Sequence, residues 1–198
     1  MANNDLLARV GITGGVVTAP LGTPAGADLL GPWPAGFLDL GYLGDQGLTE
    51  SRNEDRQEWT PWQSDTPIRT QVTASTKTFQ FTCWETNGPV VALYYQVTTA
   101  GMGTTGTTAP NIGVTSFNDM GRPAPMRRAF GFDVIDGLNM RRMHIPSGEC
   151  TARGDIVYVT NDIIKYDLTV TAYAGSDGIS VKRHFREGWT IPAGFVST

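Results

Sequence analysis

The chain has few charged residues and no long apolar stretch. Lys, Arg, Asp and Glu make up 17% of its 198 residues, and the formal charge is −4 at pH 7. Proteins that grip DNA through its phosphates usually carry a basic excess, so this balance disfavours tight nucleic-acid binding. No run of about 18 apolar residues occurs, so no membrane span is expected. The start of the chain lacks the basic and apolar segments of a signal peptide, and none is expected.

Cysteine and histidine occur only twice each. Cys83 and Cys150 lie far apart in sequence, and in a protein made in the cytoplasm we expect reduced core thiols rather than a disulfide. His144, His184 and Cys150 lack the spacing of metal ligands. No Gly-x-Ser-x-Gly elbow is present, and neither cysteine has a marked basic context. The sequence therefore predicts no catalytic residue, no metal and no cofactor.

One literal nucleotide-binding pattern, G-x-G-x-x-G, occurs at residues 101–106. A dinucleotide site needs this pattern between a strand and a helix, so that the pyrophosphate meets the helix N-terminus. Here a helix is predicted before the pattern, and the sequence TTAPNIG follows it. We interpret the pattern as a Gly/Thr-rich loop.

What the sequence does contain is 24 Gly, 12 Pro and abundant Thr, with few helical patterns. This composition predicts an all-β protein with many turns, and the length suits one domain, residues 1–198. One helix is predicted: Asn87 is a good N-cap, Pro89 is tolerated in the first turn, and Gly101 is placed near the end.

Three strand patterns carry the prediction of the sheet. Residues 165–173 alternate cleanly between apolar and polar, and after the turn at 174–178 the pattern resumes towards Phe185, which predicts a final hairpin. The dipeptide Asp136-Gly137 predicts a second, tight hairpin. In residues 68–84 the apolar phase changes, which predicts a β-bulge or sharp bend between Ala74 and Phe79.

The most informative run is residues 37–86. It combines a Gly-rich turn, a charged segment with two tryptophans and a Thr-rich strand. The order of these pieces resembles that in tail tube proteins (major tail proteins) of long-tailed bacteriophages with non-contractile tails. The matching motifs are 40–42 (LGY), 45–51 (DQGLTES), the acidic segment 54–65 and the strand 70–87. With the final hairpin included, the resemblance covers residues 5–187.

The resemblance implies a fold and a role. The fold is a β-sandwich or split barrel with one flanking helix and long extended loops. Such proteins form hexameric rings that stack into the tail tube, the conduit for genome ejection, and DNA passes through the lumen without specific binding. The partners implied are further copies of the chain, a tape-measure protein and tail-tip or terminator proteins. The chain is then a virion protein assembled in the bacterial cytoplasm, without catalysis or membrane contact.

Candidate contacts between subunits lie in two extended loops, residues 20–36 and 49–67, and in the C-terminal tail, residues 188–198. Tryptophans amid charges are typical of interfaces. The main candidates, in the loop 49–67, are Glu50, Arg52, Glu54, Asp55, Arg56, Glu58, Trp59, Trp62 and Asp65. Secondary candidates are Leu29, Leu30, Trp33, Arg127, Arg128, Arg141, Arg142 and Trp189.

Alternatives stay open for each of these segments and for the whole chain. The loop 20–36 and the tryptophans of 49–67 fit docking on a neighbour or packing on their own core. The paired arginines fit salt bridges across an interface or DNA phosphates. The chain itself fits another tail component of the same fold, or a β-sandwich module that binds a carbohydrate or receptor through its tryptophans. An enzyme is a further class, for which no residue constellation is present.

Overall fold

A computed structural model describes residues 7–97, 106–107 and 109–192 of the chain. Within them the chain forms eight strands and one helix, so the predicted all-β class with one helix is confirmed. The elements are β1 (Thr13–Pro20), β2 (Leu38–Asp39), β3 (Leu43–Trp59), β4 (Arg69–Cys83), α1 (Gly88–Tyr94), β5 (Arg127–Asp136), β6 (Asn139–Arg153), β7 (Tyr166–Tyr173) and β8 (Lys182–Arg186).

All eight strands belong to one antiparallel sheet in the order β2-β1-β5-β6-β7-β4-β3, with β8 on β6. The long strand β6 has two partners on one side: residues 140–144 pair with β8, and residues 147–153 pair with β7. The change falls at Pro146, which has no N–H to donate to a ladder. The predicted final hairpin is therefore wrong in its pairing, because β8 crosses to β6 instead of returning along β7.

The sheet curls until its two ends approach each other. Val17 and Thr18 of β1 pair with β2, and Leu40 N–H donates to Val16 O at 3.0 Å. The chain then reaches β4, where Leu43 pairs with Cys83. Between β1 and the start of β3 a cleft of about 470 Å³ stays open. This is the split barrel that the resemblance implied.

Phenylalanines of β4 and β5 meet in the core. Phe79 stacks on Phe132 with ring centroids 4.8 Å apart, and Phe81 contacts the same ring edge-on at 5.7 Å. Along β7 the even-numbered side chains are buried, as the alternation predicted. Each large apolar side chain buried in this way contributes about 1.5–3 kcal/mol.

The helix begins as predicted and ends early. Asn87 Oδ1 accepts from Val90 N–H at 3.0 Å, and its Nδ2 donates to Leu40 O at 3.0 Å. Pro89 lies in the first turn. The helix ends at Tyr94, well before Gly101, which lies outside the described residues. Gln96 takes a φ of 51° there, a left-handed backbone that ends a helix without needing glycine at the position.

The β-bulge lies elsewhere in β4 than predicted. Pairing with β3 is continuous from Ser75 to Thr78, so a bulge between Ala74 and Phe79 is excluded. The register shifts instead at Thr73, between the pairs of Val72 and Ala74. The prediction was wrong because this half of β4 is solvent-exposed, so no core face requires its side chains to stay in phase.

The tight hairpin between β5 and β6 is confirmed. Asp136 pairs directly with Asn139, which leaves Gly137 and Leu138 as the two turn residues. Gly137 has a φ of 60°, which a residue without a Cβ adopts at little cost. The turn therefore lies one residue later than the Asp136-Gly137 dipeptide itself.

Candidate assembly surfaces

Residues 49–67, predicted as an extended loop, lie largely in a two-stranded hairpin. β3 continues to Trp59, and β4 begins at Arg69. Because β7 covers β4 only at residues 77–83, residues 53–76 project beyond the barrel. We call residues 53–76 the arm. At a strand rise of about 3.3 Å per residue, its β3 half extends roughly 20 Å from the barrel.

The tip of the arm is apolar and exposed. Trp62 is 99% exposed and Ile68 is 74% exposed. Trp59 is 43% exposed, with the Arg69 guanidinium 5.7 Å from its ring centroid. Asp65, between Trp62 and Ile68 in sequence, is also exposed. Neither tryptophan is buried against the barrel, so the alternative in which they pack on their own core is not what the structure shows.

The charged candidates of the arm are exposed and pair with one another. The Glu54 carboxylate lies 3.3 Å from the Arg56 guanidinium and 4.0 Å from that of Arg52, the residue directly before the arm. Asp55 and Glu58 are exposed as well. Exposed pairs of this kind contribute about 0–1 kcal/mol. These side chains are therefore available for contacts with another subunit at little cost.

Glu50 differs from the other charged candidates, because it lies at the base of the arm. Its carboxylate accepts two hydrogen bonds from the Arg183 guanidinium, one of them at 2.9 Å. Lys77 of β4 also donates to Ser180 Oγ at 2.7 Å. The base of the arm is thus held by β8 and by the segment that leads into it.

The loop 20–36 folds back on its own barrel. Trp33 Nε1 donates to Asp133 at 2.8 Å, and the Arg142 guanidinium lies 4.1 Å from the Trp33 ring centroid. Gly131 makes room for the indole, because a Cβ at this position would overlap it. Of the two candidate leucines, Leu30 is half-buried in the loop and Leu29 is 48% exposed. Of the two open alternatives for Trp33, packing on its own chain is correct.

Arg142, predicted as a subunit contact, is buried. Only 2% of it is exposed. Its Nε and Nη2 donate to the two Asp133 carboxylate oxygens at 2.7 and 2.8 Å, and its Nη1 donates to Gly31 O at 2.6 Å. This two-point pair satisfies the guanidinium inside one chain. Arg142 therefore holds the loop 20–36 and does not form part of the surface.

The other candidate arginines also have partners within the chain. Arg127 lies 3.8 Å from Glu149, and Arg128 Nε donates to Thr18 Oγ1 at 3.0 Å. Arg141 pairs with Glu187, and this hydrogen bond holds the pKa of the Glu187 carboxyl below its ordinary value. Trp189 Nε1 donates to the same carboxylate at 2.9 Å. Contacts of these residues with a second copy stay a prediction.

The groups with potential for chemistry are buried and dispersed. Cys83 and Cys150 are free and buried, as predicted, and burial raises the pKa of the Cys83 thiol to about 12. His144 Nε2 lies 3.0 Å from Thr23 O, and burial lowers the pKa of its imidazole. Over the described part of the chain, no group of three or more His, Cys, Asp and Glu side chains could hold a metal ion. Of the G-x-G-x-x-G pattern, only Gly106 lies within the described residues.

The described residues include no helix that is long and apolar enough to cross a membrane.

Residues 154–165, between β6 and β7, form a surface that the sequence analysis missed. We call them the apolar loop. Its outward apolar side chains are between 37% and 69% exposed: Val157, Tyr158, Val159, Ile163 and Ile164. The signal was present, since two runs of adjacent apolar residues, 156–159 and 163–164, cannot all face one core.

The model of a protein family described as phage tail tube protein matches the chain over residues 1–184. The chain belongs to this family. It is a structural component of a phage tail, and the resemblance read from residues 37–86 is confirmed.

No curated protein matches this chain in sequence. Among the matching solved structures is a chain of the cryo-EM structure of the anti-feeding prophage (AFP) baseplate, 6-fold symmetrised. It is 8% identical with a TM-score of 0.47, and the alignment covers 93% of this chain and 97% of that chain. A likeness of this degree establishes no shared role.

The tail tube protein leaves long strand edges unpaired. Among the described residues, β3 pairs only with β4, and β8 pairs only with β6. Unpaired edges are templates for a strand of another chain. The outer edges of β3 and β8 are therefore candidate subunit contacts in addition to the arm and the apolar loop.

Proposed function

We propose that this chain assembles into hexameric rings that stack into the tail tube of a phage with a long non-contractile tail. The tube is the conduit for genome ejection. Family membership supports a structural role in the tail. The observation that carries the finer proposal is the arm, which projects from the barrel with unpaired strand edges and a fully exposed Trp62. An isolated subunit gains no stability from this geometry, but an assembly does.

Rings form through the lateral edges of the barrel. One edge of the sheet is β3, and β8, which pairs with β6 alone among the described strands, offers a second free edge. Pairing unlike edges of neighbouring copies is a head-to-tail contact, and such a contact generates a ring when its rotation closes. The ring size of six comes from the resemblance to tail tube proteins. In this arrangement, strands of all subunits surround one lumen.

Stacking uses the arm, which extends out of the barrel. Its contact residues in this proposal are the exposed charges and the tryptophans of the tip. The tryptophans supply apolar area and the charges supply register, the division of roles typical of interfaces. These residues are Glu54, Asp55, Arg56, Glu58, Trp59, Trp62 and Asp65 in the arm, together with Arg52 directly before it.

The charge of the assembly suits passage of DNA without binding. Six copies carry 6 × (−4) = −24 formal charges per ring at pH 7. Like charges repel the phosphate backbone and keep DNA from adhering to the wall. In this proposal the chain is not an enzyme. It is assembled in the host cytoplasm, with a tape-measure protein setting tube length and tail-tip and terminator proteins closing the ends.

Negative-stain electron microscopy of the purified chain over a concentration series tests the proposal. We expect six-fold rings and hollow tubes that lengthen with concentration. Rings that never stack would indicate another tail component of the same fold. A monomer at every concentration, also with tape-measure and tail-tip proteins added, contradicts the proposal. Submicromolar DNA affinity at about 150 mM salt contradicts the non-binding lumen.

A glycan-binding module is less well supported by the tryptophans. Trp33 stacks against Arg142 within its own chain, and Trp189 Nε1 donates a hydrogen bond to Glu187. Only Trp59 and Trp62 lie together at one exposed site. A monomer that binds glycans through these two residues, and never assembles, would establish this alternative.

A further inference from the structure

We propose that the apolar loop is the surface on which the arm tip of a copy in the adjacent ring docks. The occupant is a second copy of this chain, and the inference rests on the proposed stacking of rings. It assigns a function to residues 154–165 and a partner to Trp62.

The two surfaces lie at opposite ends of β3. The apolar loop ends at β7, whose first residue Tyr166 pairs with Cys83, and Cys83 pairs with Leu43 at the start of β3. The arm tip lies at the other end of this 17-residue strand. At about 3.3 Å per residue the separation is roughly 50 Å, so the two surfaces cannot meet within one chain. A contact between unlike surfaces at opposite ends repeats along an axis, as stacking requires.

The apolar loop is a preformed surface. Tyr94 Oη donates to Gly154 O at 2.6 Å, and Ile156 packs against the core. The Tyr158 side chain lies beside that of Tyr95, the α1 C-cap residue, and raises the pKa of its phenol. At its other end the loop leads into Tyr166, the buried first residue of β7, which pairs with Cys83 of β4. Because both ends are anchored, the remaining apolar side chains are directed to solvent by the fold itself.

The two surfaces are chemically complementary. The loop presents mostly aliphatic side chains, with Val157 59% and Ile163 47% exposed. The tip presents Trp62 and Ile68, at 99% and 74%. An indole in a pocket of aliphatic side chains is the usual form of an interface anchor. Apolar patches of this kind on a soluble chain mark interaction sites.

Docking buries few charges. The tip, residues 60–68, contains a single charged residue, Asp65. The centre of the apolar loop, residues 156–161, contains none. Asp162 and Lys165, at the rim, are already paired with each other. Burial of unpaired charge, the usual cost of an apolar interface, is therefore small here.

Disulfide cross-linking tests the contact directly. Gln63→Cys places a thiol beside Trp62, and Thr160→Cys places one in the apolar loop, so neither change removes an apolar contact. Both native cysteines are buried and do not interfere. We expect oxidation of tubes of the double variant to give a ladder of multimers on a non-reducing gel, since each copy contributes one thiol to each of two neighbours.

The matched control is Gln63→Cys with Ser176→Cys. Ser176 is also an exposed polar residue, in the turn at the opposite end of β7. A ladder with Thr160→Cys and none with Ser176→Cys supports the docking. Tubes without a Thr160→Cys ladder, or a ladder only with Ser176→Cys, overturn it while leaving the proposed function intact. Failure of the wild-type chain to form tubes overturns the proposed function, and the docking with it.

A charge in the loop gives a second readout. Val159→Asp should raise the minimum concentration for tubes at least about tenfold while single rings persist, since a buried carboxylate has no partner there. Leu138→Asp, at an 88% exposed apolar site on the β5–β6 turn, should change it less than about twofold. Equal effects of the two variants would overturn the docking.

Discussion

Arg183 of β8 and Glu50 of β3 form a two-point ion pair between strands that are not neighbours in the sheet. Glu50 pairs with the buried Phe79, and Arg183 pairs with the buried Met143. The ion pair therefore lies at the edge of the core, where β3 and β8 approach each other. It connects the base of the arm to β8, whose outer edge is free.

This ion pair should contribute modestly to stability. Its side chains are 26% and 32% exposed, so solvent screens the interaction. In a double-mutant cycle with Glu50→Gln and Arg183→Gln, we expect a coupling of about 0.5–1 kcal/mol that decreases in high salt. Urea unfolding of the monomer measures it. A coupling that is zero, or insensitive to salt, would contradict this account.

Arg142→Ala should be far more damaging than Arg127→Ala. The first leaves the Asp133 carboxylate, whose side chain is 14% exposed, with the Trp33 indole N–H as its remaining side-chain donor, at a cost of about 3 kcal/mol. The second removes a half-exposed side chain 3.8 Å from Glu149, and costs less than about 1 kcal/mol.

Chemical denaturation measures the stability of both variants, and the emission difference between chains with and without Trp33→Phe isolates the signal of Trp33 from the other four tryptophans. We expect Arg142→Ala to release Trp33 from its site, with a red-shifted emission. A loss of stability no greater than that of Arg127→Ala would show that Arg142 does not hold the loop 20–36.

Both native thiols should be unreactive in the folded protein. Burial raises the pKa of Cys83 to about 12 and also raises that of Cys150, so neither forms thiolate near pH 8. A thiol reagent should modify no cysteine in native buffer and both cysteines in denaturant. Fast modification of the native protein would show that the core opens near β4 or β6.

Stability should fall as the pH drops through the ordinary histidine pKa of about 6.5. Burial lowers the pKa of His144 in the fold, and burial with the charges of Arg142 and Lys182 lowers that of His184. Below that pH the unfolded chain therefore binds protons that the folded chain does not. Each histidine contributes a slope of at most about 1.4 kcal/mol per pH unit.

His144→Gln and His184→Gln should each flatten this slope, since the chain has no other histidine. Unfolding free energies between pH 5 and pH 8 measure the effect. An unchanged slope in the double variant would assign the pH dependence to carboxylates such as Glu187, whose lowered pKa acts in more acidic solution.

Features with a local cause could be predicted from the sequence. The cap at Asn87 depends on a side chain and a backbone N–H three residues apart. The buried face of β7 follows from the period of two along a single strand. The β5–β6 hairpin follows from a glycine that tolerates a positive φ. In each case the physical cause lies within a few residues.

Features with a distant cause could not be predicted in the same way. The position of Trp33 depends on Arg142 and Asp133, more than 90 residues away along the chain. The bulge at Thr73 lies in the part of β4 that β7 does not cover. The apolar loop was missed although its adjacent apolar residues were a signal, because only the folded chain shows which of them face solvent.

By itself the sequence determined the all-β class, the single capped helix, the reduced cysteines and membership of the tail tube family. These follow from local propensities and from the order of motifs along the chain. Only the tertiary structure decided that β8 pairs with β6, that Arg142 is internal, and that residues 53–76 project as an arm. The physical reason is that strand pairing and burial depend on contacts between segments far apart in sequence, which no local pattern specifies.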